Sequence, residues 1–404
     1  MSALPASLRD QFPLLAAAPE LHYLDSAATS QIHRSALDTV LRHETTCRAN
    51  VLRGTYRLAE AADLAYRQAR AVAARFLNAG SADEIVFTSG ATASLNLVAH
   101  AFGNTLHAGD RVLISVAEHH SNFVPWQMLR ERTGIELALI PVSADGQLDL
   151  AGLPELLDHK CRLVAVTHCS NVSGAMTDVA TLVAAARRAG AKVLLDGAQA
   201  VQHGPQDVRA MDIDFYAFSG HKCFGPGGVG VLWGRGELLA AMPPFLTGGG
   251  MIAAVTPQAA TWAEPPQRFE AGTPPIAQAV GLGAALEWML GLSWPQLDAM
   301  ENRLCELLIA GLQRIPGLRL LGPQASAQRA PIVSFDIPGL HPHDICQVLD
   351  GRRLALRGGH HCAQPLLAAL GVEACTRASI ALYNDEADIE ALLDGLAHAV
   401  KVVG

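Results

Sequence analysis

The chain alternates short apolar runs with longer amphipathic stretches through most of its N-terminal half. Runs such as Ile85–Thr88, Arg111–Val116 and Leu163–Thr167 predict buried strands, because short apolar segments bounded by polar turns suit the interior of a sheet. Stretches such as Thr92–Ala101 and Asp178–Ala189 carry apolar residues at helical spacing. Strands that alternate with helices predict an α/β fold with a mostly parallel central sheet covered by helices. The same pattern adds strands Leu137–Pro141, Lys192–Leu195, Ile213–Phe218 and Val229–Trp233, and helix Asn122–Arg132.

The pattern changes in the C-terminal part of the chain. Residues 234–275 are rich in Gly, Pro and Thr, which predicts long loops or a hairpin, and the composition shifts again near Ser293–Pro295. A chain of 404 residues exceeds one ordinary core. We therefore expect a large domain over 22–292 and a smaller α+β domain formed by 1–21 and 293–404. The smaller domain should contain strand Pro331–Asp336, helix Asp344–Leu349, short strand Leu354–Arg357 and a final helix from about Glu386.

Composition narrows the class of protein. The formal net charge of −8 argues against a nucleic-acid or anionic-membrane partner. No apolar run approaches the ~20 residues that a bilayer-spanning helix needs, and Arg9 and Asp10 interrupt the only candidate for a signal sequence. The eight cysteines are scattered without zinc-finger spacing, which is typical of free thiols in a reducing compartment. We expect a cytoplasmic enzyme.

A single lysine, Lys222, stands directly behind the predicted strand Ile213–Phe218. Burying an ammonium is costly unless it is paired or neutralised, so lysines at such strand exits are uncommon. A lysine flanked by Ser, His and Gly at a strand exit suits Schiff-base chemistry, in which its amine rests as an imine. The surrounding residues favour this interpretation over a surface lysine in a turn.

The glycines after Lys222 match a dinucleotide-binding pattern by letter only. Gly225–Gly230 spells G-x-G-x-x-G, but it leads into a predicted strand, whereas the dinucleotide fingerprint follows a strand and opens a helix. No acidic residue lies about 20 positions further on, where the ribose partner is expected. The sequence therefore argues against an NAD site here.

Polar residues follow several predicted strands at the points where the strands end. Because the carboxyl ends of parallel strands meet at one edge of a sheet, these side chains should converge on one ligand. They are Thr92, His119, Asn171, Asp196, Gln199, Ser219, His221 and Lys222.

This set of side chains fits a single cofactor. A phosphate would bind at the helix start around Thr92, helped by Ser219 and His221, because free N–H groups and the helix dipole favour an anion there. The flat imidazole of His119 suits stacking on a ring. Asp196 would keep a ring nitrogen protonated, so that the ring accepts carbanion electrons, and the lysine would form the imine. The cofactor that combines these features is pyridoxal 5′-phosphate (PLP).

The chain also resembles the class V aminotransferase superfamily of fold-type I PLP enzymes, and within it the group II cysteine desulfurases, which are close to selenocysteine lyases. The motifs that carry this resemblance extend over nearly the whole chain: 23–29 (YLDSAAT), 117–122 (AEHHSN), 170–172 (SNV), 196–199 (DGAQ), 218–222 (FSGHK), 269–274 (FEAGTP), 357–366 (RGGHHCAQPL) and 377–379 (RAS).

The resemblance implies a role for each matching residue in the cofactor site. It makes Lys222 the Schiff-base lysine and His119 the catalytic residue that stacks on the ring. Asp196 would meet the pyridine nitrogen and Gln199 the phenolic oxygen. Thr92, Ser219 and His221 would bind the phosphate, with Thr273 reaching in from the other subunit of a homodimer.

The resemblance further implies the substrate and the products. Asn171, Arg357 and Arg377 would bind the L-cysteine substrate, and Cys362 would be the nucleophile that accepts its sulfur. L-Alanine would leave, and the persulfide would pass to a sulfur-acceptor protein that serves iron–sulfur cluster assembly or another sulfur pathway. The sequence departs from the usual pattern at Ala91, Ala93 and Leu52, so the resemblance does not specify substrate preference or the details of the subunit contacts, whereas the cofactor is unaffected.

Cys362 lies in a segment whose composition favours a reactive thiol. His360, His361 and nearby arginines make the segment cationic, and positive charge favours the thiolate. A His-His-Cys metal site is the alternative, but consecutive residues of an extended loop point in different directions, and no second cluster has metal-ligand spacing. We expect no metal site, and we expect Cys346 and Cys375 to be core residues.

Three other functions compete with cysteine desulfuration. Selenocysteine lyase activity shares every motif above and stays open. An epimerase or aminotransferase of the same superfamily would have no use for a reactive Cys362. A non-catalytic scaffold would be expected to have lost Lys222 or Asp196, and the chain keeps both.

Overall fold

The computed structural model describes residues 8–403, and a seven-stranded sheet lies at the centre of the molecule. The strands of the described chain are β1 (His22–Tyr23), β2 (Ile85–Thr88), β3 (Arg111–Ser115), β4 (Glu136–Ile140), β5 (Cys161–Thr167), β6 (Lys192–Asp196), β7 (Phe215–Ser219), β8 (Gly230–Gly234), β9 (Ile252–Val255), β10 (Ala260–Trp262), β11 (Arg319–Leu321), β12 (Ile332–Asp336), β13 (Leu354–Ala355), β14 (Arg357–Gly359) and β15 (Cys375–Ser379). The central sheet has the order β2-β8-β7-β6-β5-β3-β4. Only β8 runs antiparallel to its neighbours, so the predicted, mostly parallel sheet is confirmed.

Helices cover both faces of this sheet. The helices of the described chain, including those of the second sheet, are α1 (Pro13–Ala17), α2 (Arg34–Thr46), α3 (Arg57–Phe76), α4 (Ala91–Ala101), α5 (Val124–Thr133), α6 (Leu153–Leu156), α7 (Val179–Ala189), α8 (Gly236–Ala241), α9 (Ile276–Leu290), α10 (Trp294–Leu312), α11 (Pro342–Asp350), α12 (Gln364–Ala369) and α13 (Glu386–Val403). Alternate residues of one strand enter different cores: Val193 and Leu195 join one cluster and Leu194 joins the other. A strand buried on both faces explains the uninterrupted apolar runs in the sequence.

A second, four-stranded antiparallel sheet has the order β11-β12-β15-β14. Its core contains residues from α10, α11 and α13 together with Leu24, which follows β1. The short strand β1 pairs with β13 and so ties the N-terminal segment to this C-terminal unit. The second sheet and its helices form an α+β unit, as expected for the small domain. However, Phe12 and Leu15, from the N-terminal segment assigned to it, pack in the core of the central sheet, and residues 1–7 lie outside the described residues. The domain bounds 22–292 and 293–404 stay a prediction.

Several element boundaries differ from those expected. The expected strand Leu354–Arg357 is two strands, because β13 pairs with β1 whereas β14 pairs with β15. Helix α5 begins at Val124, after a short 3-10 turn over His120–Asn122, rather than at Asn122. The Gly- and Pro-rich segment contains the expected hairpin, formed by β9 and β10. Within residues 8–403 no single helix is long and apolar enough to cross a bilayer, and the bent pair α9–α10 meets the criterion by length and composition only.

Candidate active site

A cavity of about 490 Å³ opens where the carboxyl ends of β5, β6 and β7 face the turn after β14. Eleven of the twelve residues expected in the site line it: Thr92, His119, Asn171, Asp196, Gln199, Ser219, His221, Lys222, Arg357, Cys362 and Arg377. Asp196 and Ser219 are the last residues of β6 and β7, and residues 170–172 come shortly after the end of β5. The sheet therefore brings together residues that are far apart in the sequence.

One end of the cavity has the features of an anion site. Helix α4 begins at Ala91, directly after Gly90, and Thr92 is exposed in its first turn. Gly90 has φ +151°, and a Cβ on the neighbouring Gly230 would lie 2.5 Å from the Gly90 Cα, so both positions need glycine. The Ala91 N–H donates to Ser219 Oγ at 2.8 Å, which holds the serine hydroxyl at the helix start. Free N–H groups and the helix dipole suit a phosphate here.

The imidazole of His119 is held in one orientation beside the cavity. Its Nδ1 accepts the backbone N–H of Ser121 at 3.1 Å and lies 2.6 Å from Ser121 Oγ. Burial, with a further contribution from Lys222, lowers the pKa of His119 to about 4. The ring is therefore neutral, with its proton on Nε2. A neutral, fixed, flat ring is suited to stacking on an aromatic cofactor.

The amine of Lys222 and the carboxylate of Asp196 both line the cavity. Asp196 is buried, its Oδ1 accepts the Ala198 N–H at 3.0 Å, and burial raises its pKa. Gln199 donates through Nε2 to Ala27 O at 2.9 Å, while its buried Oε1 has no partner among the described residues. The cavity therefore contains the groups that PLP needs. Asp196 can meet the ring nitrogen, Gln199 Oε1 is unpartnered, Lys222 supplies the amine, and the start of α4 supplies the anion site.

Burial lowers the pKa of Lys222 to about 8, against the opposing effect of Asp196. Imine formation requires the neutral amine, and a lowered pKa makes that form available near physiological pH. We expect the rate of PLP incorporation into the apoprotein to rise with pH up to about 8 and to level off above it. Stopped-flow absorbance at a series of pH values would measure this rate. A rate that keeps rising towards the pKa of an ordinary lysine, about 10.4, would contradict the prediction.

The substrate side of the cavity contains two arginines. Arg377 is buried on β15, and its Nη1 donates to Asn171 O at 2.9 Å. Asn171 in turn donates through Nδ2 to His361 O at 2.6 Å, so it contacts both the arginine and the turn that carries Cys362. Asp25 accepts from Arg377 and from Arg357. Asp25 lies in the motif at 23–29, but no role for it was predicted from the sequence.

Cys362 lies in a tight turn, and the expectation of an extended loop is wrong. Both His361 and Cys362 have positive φ, +51° and +54°, and the Ala363 N–H closes the turn on His360 O at 3.0 Å. The backbone N–H of His120 donates to Cys362 O at 2.7 Å. Helix α12 begins at Gln364, so the turn leads directly into a helix. Two non-glycine residues in this conformation cost of order 1–3 kcal/mol each, and the surrounding hydrogen bonds hold them there.

Cys362 is the exposed cysteine among the eight, all of which lie in the described part of the chain. Cys375 is a buried core residue as expected, whereas Cys346 is only partly buried, and burial raises the pKa of both thiols to about 12. Within residues 8–403, no group of three or more His, Cys, Asp or Glu side chains could hold a metal ion.

Thr273 is the one expected residue that does not line the cavity. It is exposed, and its Oγ1 lies 3.5 Å from Asn50 Nδ2. Two residues that were given no role from the sequence, Thr167 and Cys169, also line the cavity. Thr167 is the last residue of β5, and Cys169 lies between that strand end and Asn171, so position at the strand end is the signal that could have identified them.

Comparison with known proteins identifies the family. The class-V aminotransferase family matches residues 22–392. A probable cysteine desulfurase of Streptomyces coelicolor is 44% identical over 98% of this chain and 97% of its own length. The cysteine desulfurase of Dickeya dadantii is also 44% identical, with the same coverage.

Solved structures agree with the family match. The cysteine desulfurase CsdA of Escherichia coli superimposes with a TM-score of 0.93 at 40% identity, over 99% of both chains. The PLP-bound enzyme C-DES superimposes with a TM-score of 0.82 at 28% identity, over 96% of this chain and 98% of that one. PLP is the cofactor of this family. The chain belongs to the class-V aminotransferase family, among its cysteine desulfurases.

Proposed function

We propose that this cavity removes sulfur from L-cysteine, releasing L-alanine and leaving a persulfide on Cys362. The observation that carries the proposal is that one cavity contains both the lysine with a lowered pKa, Lys222, and the exposed thiol of Cys362. The relatives named as cysteine desulfurases support it, since they match the chain over nearly its full length.

The cofactor would be held by residues from both ends of the cavity. Thr92, Ser219 and His221 would bind its phosphate, and His119 would stack on its ring. Asp196 would contact the ring nitrogen, and Gln199 would contact the phenolic oxygen. Bound PLP supplies an electron sink for the carbanion at the substrate Cα.

The protein's own residues would orient the substrate and move its protons. Arg377, Arg357 and Asn171 would bind the carboxylate, which directs the Cα hydrogen towards the neutral amine of Lys222. Lys222 would remove that proton as a general base. The Cys362 thiolate would attack the substrate sulfur, so that the new S–S bond forms as the Cβ–S bond breaks. The electron pair of the broken bond stays with the carbon fragment, and protonation at Cβ and Cα completes alanine.

The exposed position of Cys362 bears on the fate of the persulfide. The turn is held by hydrogen bonds to His120 and Asn171, so the sulfur cannot travel far on its own loop. We propose that a sulfur-acceptor protein comes to Cys362 and removes the sulfur there. The pathway served and the cytoplasmic location stay predictions.

Equal amounts of alanine and sulfide from L-cysteine, in the presence of a reductant, would establish the reaction. L-Selenocysteine should be tested in parallel, because the site residues do not separate the two substrates. Racemisation or transamination of L-cysteine without sulfur release would overturn the proposal in favour of an epimerase or aminotransferase.

We also propose a homodimer with composite active sites. Helices α2 and α3 carry exposed leucines, among them Leu37, Leu41 and Leu64, and a second copy of the chain would remove such side chains from water. Thr273 would then enter the partner's phosphate site. We expect a dimer in sedimentation experiments, and a fully active monomer would refute this proposal.

A hybrid dimer tests whether Thr273 acts across the interface. One chain would carry Thr273→Val and the other Lys222→Ala. If Thr273 serves the partner's site, the hybrid contains one intact site and regains about half of the wild-type activity, as composite sites require. If Thr273 serves its own chain, neither site of the hybrid is intact and no activity returns.

A further inference from the structure

Asp25 lies between the two arginines of the substrate side. Its Oδ1 accepts Arg377 Nη2 at 3.1 Å, and its Oδ2 accepts Arg357 Nε at 3.2 Å. Arg377 is buried, and the Asp25 side chain is only 15% exposed. The backbone around Asp25 is fixed as well, because the Ser379 N–H donates to Leu24 O at 2.7 Å. Asp25 therefore joins the two guanidiniums in a defined geometry.

These contacts leave particular donors of the arginines available. Arg377 uses Nη1 for Asn171 O and Nη2 for Asp25, while its buried Nε has no partner among the described residues. Arg357 uses Nε for Asp25, which leaves its two terminal nitrogens free to meet a ligand. A guanidinium held on one side presents its remaining N–H groups in a fixed direction, which suits a carboxylate.

The charges of the three side chains do not cancel. Two guanidiniums carry two positive charges, Asp25 carries one negative charge, and it is the acid that forms ion pairs with both arginines within residues 8–403. One positive charge therefore remains. A ligand with one carboxylate balances it, whereas a second carboxylate would find no free counter-charge and would face Asp25.

We propose that Asp25 is a positioning and specificity-determining residue, which orients Arg377 and Arg357 and offsets one of their charges. It thereby selects amino acids with a single carboxylate over those whose side chain carries another anionic group. This inference rests on the proposed function, because it takes the α-carboxylate of the amino acid to lie at Arg377.

The test compares L-alanine with L-aspartate, which differ by one carboxylate. Each is titrated into the PLP-loaded dimer, and the change in the visible absorption of bound PLP gives its dissociation constant. Wild-type protein should prefer L-alanine. In Asp25→Asn the preference should shift towards L-aspartate by about tenfold or more, because the second arginine charge becomes available to the second carboxylate. L-Cysteine turnover should show a fall in kcat without a rise in KM, because the carboxylate is still attracted but less well oriented.

Asp344→Asn is the matched control. Asp344 is exposed on α11 and belongs to neither ion pair, so its loss changes the net charge equally without altering the arginines. The preference of Asp344→Asn for L-alanine over L-aspartate should stay at the wild-type value. A preference in Asp25→Asn within about threefold of the control would overturn the inference, since so small a shift is less than one charge pair should produce.

Arg357→Gln changes the same balance of charges but leaves Asp25, the partner of the buried Arg377, in place. Arg357 is half exposed, so folding should tolerate the change. Asp25 then offsets the only remaining arginine charge, and L-alanine should bind about tenfold more weakly or worse. Unchanged L-alanine binding would overturn the inference. Wild-type protein that binds PLP but gives no absorption change with L-alanine would instead count against the proposed function.

Discussion

Turnover of L-cysteine should fall by at least about 10⁴-fold in Lys222→Ala, because this variant loses both the attachment point of the cofactor and the general base. Lys222 lies at the base of the cavity next to Asp196, and no other lysine lines the cavity. Wild-type protein should be yellow and should keep PLP through denaturation after borohydride reduction. The variant should release its PLP under the same treatment.

Lys192→Ala is a suitable control for this experiment. Lys192 begins β6, and its side chain is 39% exposed near Asp214. Its loss should leave both the colour and the turnover close to wild type, because Asp214 keeps its ion pairs with Arg187 and Arg235. A Lys222→Ala protein that still produced alanine from L-cysteine at more than trace rates would refute the assignment, as would a colourless wild type that PLP could not reconstitute.

The convergence of the site residues was predictable from the sequence for a physical reason. Parallel strands that alternate with helices place all their carboxyl ends on one edge of the sheet. Residues such as Asn171, Asp196 and Lys222 could therefore be assigned to one site from their positions after apolar runs. The structure places them on one cavity, although their separate roles stay predictions until they are tested.

The turn that carries Cys362 could not be predicted in the same way. Positive φ is uncommon outside glycine, and although histidine adopts it more often than most residues, a His-Cys pair gives no signal for two such residues in succession. The conformation is fixed instead by His120 and Asn171, which are more than 190 residues away in the sequence. Tertiary contacts between distant segments leave no local signal.

The role inferred for Asp25 was missed for a related reason. Its sequence neighbours are small residues that indicate a turn, and an Asp in a turn usually serves the backbone. Its partners, Arg357 and Arg377, lie on β14 and β15, which pair with each other in the C-terminal sheet. The ion pairs exist because Leu24 hydrogen-bonds to Ser379 and brings β1 alongside that sheet.

Replacing Cys362 with Ala should lower the turnover of L-cysteine by several orders of magnitude, because the sulfur then has no nucleophile to receive it. Cleavage of L-selenocysteine should survive better, because the weaker C–Se bond needs less nucleophilic help. After treatment with L-cysteine, mass spectrometry of the wild-type protein should find one added sulfur atom on the peptide that contains Cys362. Adding a reductant should remove that sulfur and speed turnover.

Cys346→Ala is the matched control, because Cys346 is a partly buried thiol on α11 whose pKa is raised to about 12 by burial. Such a thiol is protonated at neutral pH and makes a poor nucleophile. Its loss should leave both the turnover and the added sulfur on Cys362 unchanged. If the sulfur appeared on Cys346 or Cys375, or if Cys362→Ala desulfurated L-cysteine at the wild-type rate, the sulfur would not pass through Cys362. The exposed turn would then need another explanation.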